Sequence, residues 1–370
     1  VSSCCKNIHF KLRKYRETTM KKILFNHHWY MAEGTGTIFG PPANLPEKHS
    51  VCLPHDSMIH TLRCPDTSDS ASGYYTAGVV NYTKSFFLDS YDAQKVVWIE
   101  FEGLFQNAFI YVNDVYVYHC TYGYGNYYVN MTKYVNFGAE NIIRVVLKNM
   151  PKMGRWYTGA GIYRDVYLMI GDRLHIQCEG VRVTPYDIHN DYSLVRLEVP
   201  VENSGCVNSS VKVISEIFDM QNSRVALKTS ELGIFENESR TCRQELYIEN
   251  PKLWSIEEPY LYRYRTRLIM DGKFIDEDTG SFGVRRLQLD AYHGLRINGR
   301  QICLRGGCIH SDYGIIGTAC FEHAEERRIK KLKLSGYNAI RSAHHPIGRK
   351  TLEVCDRLGM LVVDEFTDVW

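Results

Sequence analysis

Apolar and polar residues alternate along much of the first part of the chain, residues 23–172. Turn residues such as Asn113-Asp114 and Phe137-Gly138 separate the alternating runs. Strict alternation suits strands that bury one face, and regular turns between them are typical of an antiparallel sandwich. We therefore predict a jelly-roll β-sandwich over this region. The clearest alternating runs are residues 95–101, 108–117 and 141–147.

The second part of the chain, residues 173–285, shows the same alternation, in strands whose length suits an immunoglobulin-like β-sandwich. Its alternating runs are residues 180–185, 193–201 and 210–218. Trp254 is predicted to be a core residue of this part. Nothing in this region indicates chemistry, and we predict that it serves as a spacer.

The pattern changes in residues 286–370, where short strands alternate with helical segments. Asn298-Gly299 predicts a tight hairpin, and Gly359 is placed to end a helix in the left-handed conformation. Strands separated by helices predict a parallel sheet, here the first three strands of an α/β TIM barrel. The predicted strands are residues 302–306, 338–341 and 360–363, and the predicted helices are residues 322–334 and 350–358. In the second helix, the residues predicted to share the buried side are Leu352, Val354, Cys355 and Leu358.

Polar and ionisable residues follow each of these three strands at its carboxyl end. Active sites of such barrels are built at that rim, so these residues are candidates for a binding site. They are His310 and Asp312 after the first strand, Arg341 and His344 at the end of the second, and Asp364 and Glu365 after the third.

Two stretches of this region resemble the barrel signature of glycoside hydrolase family 2, which includes β-galactosidases, β-glucuronidases and β-mannosidases. They are N-A-I-R-S-A-H-H-P at residues 338–346 and C-D-R-L-G-M-L-V-V-D-E at residues 355–365. Residues 155–166, R-W-Y-T-G-A-G-I-Y-R-D-V, resemble a segment of the family's sugar-binding domain that reaches toward the barrel mouth. The resemblance implies a multi-domain fold: jelly roll, immunoglobulin-like sandwich and the first part of the barrel. Residues 155–166 and 364–370 are most similar to bacterial β-galactosidases.

The resemblance implies hydrolysis of terminal β-galactosides with retention, by one acid/base and one nucleophilic carboxyl group. The family places these two glutamates near strands four and seven, so we expect them beyond Trp370 and expect the chain alone to be inactive. Glu365 follows Asp364 where the family's acid/base follows an Asn, so we predict a supporting role for Glu365. Alternatives are a non-catalytic carbohydrate-binding or interaction module, the product of a disrupted gene, and a β-glucuronide or β-mannoside as substrate.

For several of the predicted sugar contacts, the alternative is a structural role. His344 matches a histidine that contacts the sugar in the transition state, whereas Arg341 and Asp364 are favoured as a buried structural ion pair. His345 is predicted to lie on the surface. Trp156 and Arg155 either plug a domain interface or contact substrate, and Arg155 stands near a position that is acidic in well-known β-galactosidases. The full predicted set is His310, Asp312, Arg341, His344, Asp364, Glu365, Arg155 and Trp156.

Composition narrows the class of protein. A net charge of +2 gives no reason to expect nucleic acid or an anionic membrane as partner, and no apolar run has the length of a membrane helix. The twelve cysteines lack metal-ligand spacing and are interpreted as small hydrophobes of a reducing, cytoplasmic compartment. No cofactor or metal ligand is assigned, while a metal ion and a homo-oligomer of the complete enzyme stay open.

The N-terminal residues 1–22 are predicted to form a disordered extension. Residues 1–19 are basic and lack the apolar stretch of a secretory signal. Met20 resembles a natural start, so the preceding residues are interpreted as a translated upstream region or a cloning remnant. The competing interpretation is a basic targeting arm.

Overall fold

The computed structural model describes residues 20–34, 48–150 and 155–366. In them, two antiparallel β-sandwiches are followed by a small hairpin sheet and a three-stranded parallel sheet with two helices. This architecture confirms the predicted fold class. Residues 1–19 of the predicted extension lie outside the described part, but Lys21 and Lys22 belong to the first strand, where Lys22 Nζ lies 2.6 Å from Glu100 Oε2.

The first sandwich is formed by a four-stranded sheet, β1-β10-β5-β8, and a six-stranded sheet, β3-β2-β4-β9-β6-β7. Between them lies a core that includes Trp29, Tyr82 and Phe101, all fully buried. The predicted run 108–117 is two strands, because Asn113 and Asp114 both take positive φ and turn the chain back. The strands are β1 (Lys21–Leu24), β2 (Trp29–Glu33), β3 (His49–Val51), β4 (Val79–Leu88), β5 (Val96–Phe101), β6 (Ala108–Val112), β7 (Val115–Cys120), β8 (Tyr127–Asn130), β9 (Ala139–Lys148) and β10 (Val166–Gly171), with 3-10 turns at Met58–His60 and Ser90–Asp92.

The second sandwich packs the sheet β15-β14-β17-β18 against a sheet in which β13 pairs with β11, β12 and β16. Alternate residues of β13, among them Val195, Leu197 and Val199, are fully buried. This is the inward face that the period of two predicted. The strands are β11 (Leu174–Ile176), β12 (Arg182–Ile188), β13 (Tyr192–Asn203), β14 (Ser209–Phe218), β15 (Arg224–Ile234), β16 (Glu238–Glu249), β17 (Tyr262–Met270) and β18 (Lys273–Phe282).

The partial barrel begins after a hairpin sheet whose Asn298 and Gly299 have φ of 54° and 82°, as the Asn-Gly signal predicted. Its strands β22, β23 and β24 are parallel and adjacent in chain order. The elements are β19 (Leu287–Asp290), β20 (Gly294–Ile297), β21 (Arg300–Gln301), β22 (Gly306–Ile309), α1 (Glu322–Leu334), β23 (Ala339–Ser342), α2 (Arg349–Leu358) and β24 (Leu361–Asp364).

The first barrel strand is not where the sequence predicted it. Residues 302–305 precede the ladder, which starts when Gly306 pairs with Ala339. The Asn338 side chain adds to the backbone bond from Asn338 N to Arg305 O in holding this lead-in segment. Its Oδ1 accepts from Arg305 N at 2.7 Å, and its Nδ2 donates to Cys303 O at 2.9 Å. The prediction placed the strand too early because apolar residues continue in front of the paired segment.

Helix α2 packs on the sheet mainly through Val354 and Cys355, both 1% exposed, and Gly359 ends it at φ 71° as predicted. Leu352, predicted on the buried side, is 36% exposed, because it lies one residue away from the packed stripe. Trp254 is buried as predicted, but it packs with Leu361 at the junction with the barrel, and its Nε1 donates to Asp356 O at 2.8 Å.

Acidic residues of the first sandwich meet basic residues of α2 at a buried junction. Glu100, with no exposed surface, lies 2.9 Å from Arg349 Nη2, and Glu102 Oε1 lies 3.2 Å from Arg349 Nη1. Lys350 forms an ion pair with Asp165. These pairs fix the second βα unit of the barrel against the sandwich.

Two further observations concern cysteines and membrane spans. The ten cysteines in the described ranges are free thiols, and four of them are buried. No helix in the same ranges combines the length and apolar character needed to cross a membrane.

We expect the partial barrel to be the least stable region of the isolated chain. Strands β22 and β24 each have one neighbour in the described sheet, and Val363 of β24 is 47% exposed. Unpaired strand edges and exposed apolar faces lower local stability. Hydrogen exchange of the purified chain should show weak amide protection in residues 306–364 and strong protection in residues 96–148. Equal protection in the two regions would contradict this expectation.

We expect the junction to make folding stability depend on pH through Glu102. Burial raises the pKa of this carboxyl from 4.5 to about 7, although Arg349 opposes the shift. The folded state therefore holds a proton that the unfolded state loses, so stability is highest below the unfolded pKa and falls as pH rises toward 7. At pH 8 the Glu102→Gln variant should be more stable than the wild type by roughly 1–3 kcal/mol. Its free energy of unfolding, measured with urea, should also depend less on pH between pH 5 and 8. Glu257→Gln, at an exposed position, is the control. An unchanged slope in Glu102→Gln would refute the assignment.

Candidate functional site

The polar loops at the carboxyl ends of β22, β23 and β24 face a bend of the first sandwich that carries Trp156. The Trp156 ring stacks on His344 with 4.6 Å between centroids and on His310 with 6.1 Å. Its Nε1 donates to the hydroxyl of Tyr124 at 3.1 Å. Three stacked rings, which we call the aromatic wall, thus bring together predicted site residues from both domains.

The bend exists because its glycines take conformations and approaches that side chains would prevent. Gly159 has φ +64°, and Gly161 has φ +147° with no room for a Cβ beside His55 O. The tight bend therefore turns Trp156 toward the barrel as predicted. Trp156 is half-buried in the aromatic wall, whereas Arg155 is exposed, and a sugar contact by Arg155 stays a prediction.

Glu365 organises the loop that carries His344. Its Oε2 accepts the backbone N–H of His344, and its Oε1 accepts Arg341 Nε at 2.6 Å. His344 has φ +77°, which is uncommon for a residue with a side chain, and this turn aims its N–H at the carboxylate. The His344 amide and then the Arg341 guanidinium hold the pKa of Glu365 below its ordinary value, so the group is ionised at neutral pH.

The predicted ion pair between Arg341 and Asp364 is wrong. In the parallel ladder Arg341 is in register with Val363, while Asp364 is in register with Ser342. Successive side chains of a strand point to opposite faces, so Arg341 shares its face with Glu365 and Cys308. Its Nη1 donates to Cys308 Sγ at 3.2 Å, and Asp364 Oδ1 instead accepts Ile347 N at 2.9 Å.

His345, predicted to lie on the surface, is 1% exposed. Its ring lies flat on Tyr124, with 3.8 Å between centroids, and burial lowers its pKa to about 4. The neighbouring His344 is part of the aromatic wall, so the two adjacent histidines stack on different rings, His344 on Trp156 and His345 on Tyr124. The prediction failed because the ring that covers His345 comes from the first sandwich, for which the sequence around His345 carries no signal.

His310 and Asp312 lie in the loop after β22. Arg328 of α1 holds this loop by donating from Nη1 to His310 O at 3.0 Å and from Nη2 to Asp312 O. Burial lowers the pKa of His310, and the nearby Asp312 opposes that shift. The Nδ1 of His310 has no hydrogen-bond partner in the part of the chain that the structure describes.

Two residues around the site were missed by sequence reasoning. Tyr124 carries both the hydrogen bond to Trp156 and the stack on His345, and nothing in its local sequence distinguishes it. Asp56 was not among the predicted site residues. It is 2% exposed and accepts the Tyr157 hydroxyl at 2.8 Å, and burial together with Asp56 raises the pKa of Tyr157 so that this hydroxyl stays a donor.

Within residues 20–34, 48–150 and 155–366, no group of three or more His, Cys, Asp or Glu side chains is arranged to hold a metal ion.

Three models of one family match consecutive parts of the chain. "Glycosyl hydrolases family 2, sugar binding domain" matches residues 42–171, "Glycosyl hydrolases family 2" matches residues 174–285, and "Glycosyl hydrolases family 2, TIM barrel domain" matches residues 291–369. These ranges follow the two sandwiches and the partial barrel in order.

Individual relatives have the same organisation. A β-galactosidase of Bacteroides ovatus is 32% identical over 349 residues, which are 94% of this chain and 41% of the relative. A β-glucuronidase of Bacteroides fragilis is 27% identical over 304 residues, which are 78% of this chain and 43% of the relative. The crystal structure of a family 2 member from Bacteroides cellulosilyticus matches with a TM-score of 0.90 at 36% identity, over 94% of this chain and 46% of that one.

The chain spans less than half the length of these relatives. Over that span, family models, relatives and fold agree along nearly its whole length, and the chain belongs to glycosyl hydrolase family 2.

Proposed function

We propose that this chain supplies the sugar-binding wall of a retaining glycosidase that acts on terminal β-galactosides. The observation that carries the proposal is the aromatic wall, in which Trp156 stacks on His344 and His310 at the carboxyl ends of parallel strands. The match of the family's sugar-binding and barrel models to the regions that supply these residues supports it.

The wall has the chemistry that a sugar requires. A sugar ring has apolar C–H faces and polar hydroxyl edges, so an indole face packs against the former while ring nitrogens bond the latter. His310 Nδ1 is buried and lacks a partner among the described residues, and a bound hydroxyl would satisfy it. The His344 ring lies beside it, with 5.2 Å between the two centroids.

Glu365 serves this wall as a support and does not act as the proton donor. A general acid needs a pKa raised toward the working pH, whereas the His344 amide and Arg341 lower that of Glu365. Its two oxygens are also occupied by those same partners. By the family resemblance, the acid/base and nucleophilic glutamates belong to later barrel strands.

A neutral galactoside is the favoured substrate over a β-glucuronide or β-mannoside. The Bacteroides ovatus β-galactosidase is 32% identical to this chain, against 27% for the Bacteroides fragilis β-glucuronidase. A glucuronide would also need a cation for its carboxylate, and the charge of Arg341 is already neutralised by Glu365. Arg341 therefore fits a wall for uncharged sugars.

The second candidate is a non-catalytic carbohydrate-binding module. It is favoured because the wall carries binding groups, whereas the nearby Glu365 carboxylate is held ionised and does not act as a proton donor. A test of turnover separates the two candidates, because a module binds a β-linked sugar without hydrolysing it.

We expect the purified chain, residues 20–370, not to hydrolyse a chromogenic β-galactoside above the buffer rate. Binding groups alone cannot attack the anomeric carbon or protonate the leaving group. The assay compares this chain with Glu365→Gln and with a polypeptide extended by the downstream barrel segment, and only the extended form should turn over. Turnover by the chain alone that Glu365→Gln abolishes would make Glu365 catalytic.

In the active extended form, we expect His344→Ala to lower kcat/KM by about 10²-fold while leaving the thermal midpoint nearly unchanged, because a hydrogen bond to the transition state is lost. His323→Ala, at an exposed position of α1, is the matched control and should leave both quantities unchanged. A lower midpoint with unchanged kinetics would show that His344 has a purely structural role.

A further inference from the structure

Asp56 is a buried carboxylate that joins two of the three segments that form the aromatic wall, the bend with Trp156 and the loop with His310, without belonging to the wall itself. Its Oδ1 accepts Met58 N at 2.9 Å and Ala160 N at 3.0 Å. Its Oδ2 accepts the Tyr157 hydroxyl at 2.8 Å and, from Thr318, the backbone N–H at 2.9 Å and the hydroxyl at 3.2 Å. Donors from the sandwich bend and from the barrel loop therefore meet on one oxygen.

The five donors are neutral groups, and together they use the acceptor capacity of both oxygens. An ionised carboxylate is needed for this arrangement, because an amide has one acceptor oxygen and would turn an N–H₂ group toward donors. Removing an acceptor from buried donors leaves them unpaired, which is costly. Asn in place of Asp56 would thus keep the shape of the side chain but lose hydrogen bonds that join the two loops.

Two glycines let the backbones approach the carboxylate closely. Gly159 has φ +64°, and a Cβ there would lie 2.7 Å from Asp56 Oδ2. Gly317 has φ +60°, and a Cβ there would overlap the same oxygen. A side chain at either glycine would therefore collide with Asp56, so only glycine lets the two loop backbones lie this close to the carboxylate.

We propose that Asp56 is a positioning residue that sets the placement of Trp156 against His310 and His344, an inference that rests on the proposed sugar-binding function of this wall. Tyr157, one residue after Trp156, and Thr318, in the loop that starts at His310, are the two groups that share Asp56 Oδ2. The ion pairs of Arg349 and Lys350 are made with Glu100, Glu102 and Asp165 and do not involve Asp56, Tyr157 or Thr318.

The first test observes Trp156 directly, without requiring activity. The purified chain is labelled with 5-fluorotryptophan, and the fluorine resonance of Trp156 is assigned by its loss in Trp156→Phe. Asp56→Asn should shift or broaden this resonance. Tyr157→Phe removes only one donor to Asp56, so it should cause a smaller change of the same kind. Arg357→Gln, which breaks an ion pair with Glu326 between the two helices, should leave it unchanged.

The second test measures kcat/KM in the catalytically active extended form. Asp56→Asn should lower kcat/KM by about 10²-fold, since small misplacement of a binding group has effects of that size. In a Trp156→Ala background the same substitution should lower kcat/KM little further, while still lowering the thermal midpoint. Asp56→Glu should lower kcat/KM as Asp56→Asn does, because the longer side chain cannot occupy the glycine-lined site.

An unmoved Trp156 resonance in both Asp56→Asn and Tyr157→Phe would overturn the proposal. Losses in kcat/KM that add fully in the double variant would also overturn it, because Asp56 would then act independently of Trp156. If the extended wild type hydrolyses no β-galactoside, the proposed function fails, and the fluorine measurement still decides whether Asp56 positions Trp156.

Discussion

The arrangement of this chain depends on the buried ionic junction between the first sandwich and helix α2. Glu100 is fully buried, and its two oxygens lie 2.6 Å from Lys22 Nζ and 2.9 Å from Arg349 Nη2. Charges at such depth are tolerated only when paired, because desolvation costs several kcal/mol for each ion. A displacement of α2 would remove Arg349 from both Glu100 and Glu102 and leave only Lys22 beside Glu100, so the junction favours one placement of the barrel on the sandwich.

The site follows from that placement. Once α2 is fixed, the loop between β23 and α2 brings His344 to Trp156 and His345 to Tyr124, where the rings stack with 4.6 Å and 3.8 Å between centroids. Asp56 then connects the sandwich bend to the loop after β22 through Thr318. The aromatic wall is thus a property of the interface between two domains and is present in neither alone.

The ionisable groups of this interface are either paired or held neutral. Arg341 and Glu365 neutralise each other at the rim, and His345 is held neutral by burial. The aromatic wall itself consists of Trp156, His310 and His344, whose rings also carry hydrogen-bonding nitrogens. The ionised groups act on the backbone and on one another, which fixes the geometry of the wall.

The sequence by itself determined the elements and much of the candidate site. Alternation with a period of two gave the strands of both sandwiches, Asn298-Gly299 gave a hairpin, and Gly359 gave a helix end, because each depends on a residue and its near neighbours. The strand-end positions of His310 and His344 followed from the same local patterns. Only the tertiary structure decided that Arg341 pairs with Glu365, that Tyr124 buries His345, and that Asp56 accepts donors from Thr318, 262 residues away. These contacts depend on strand register and on the packing of separate domains, and neither leaves a signal in the residues adjacent along the chain.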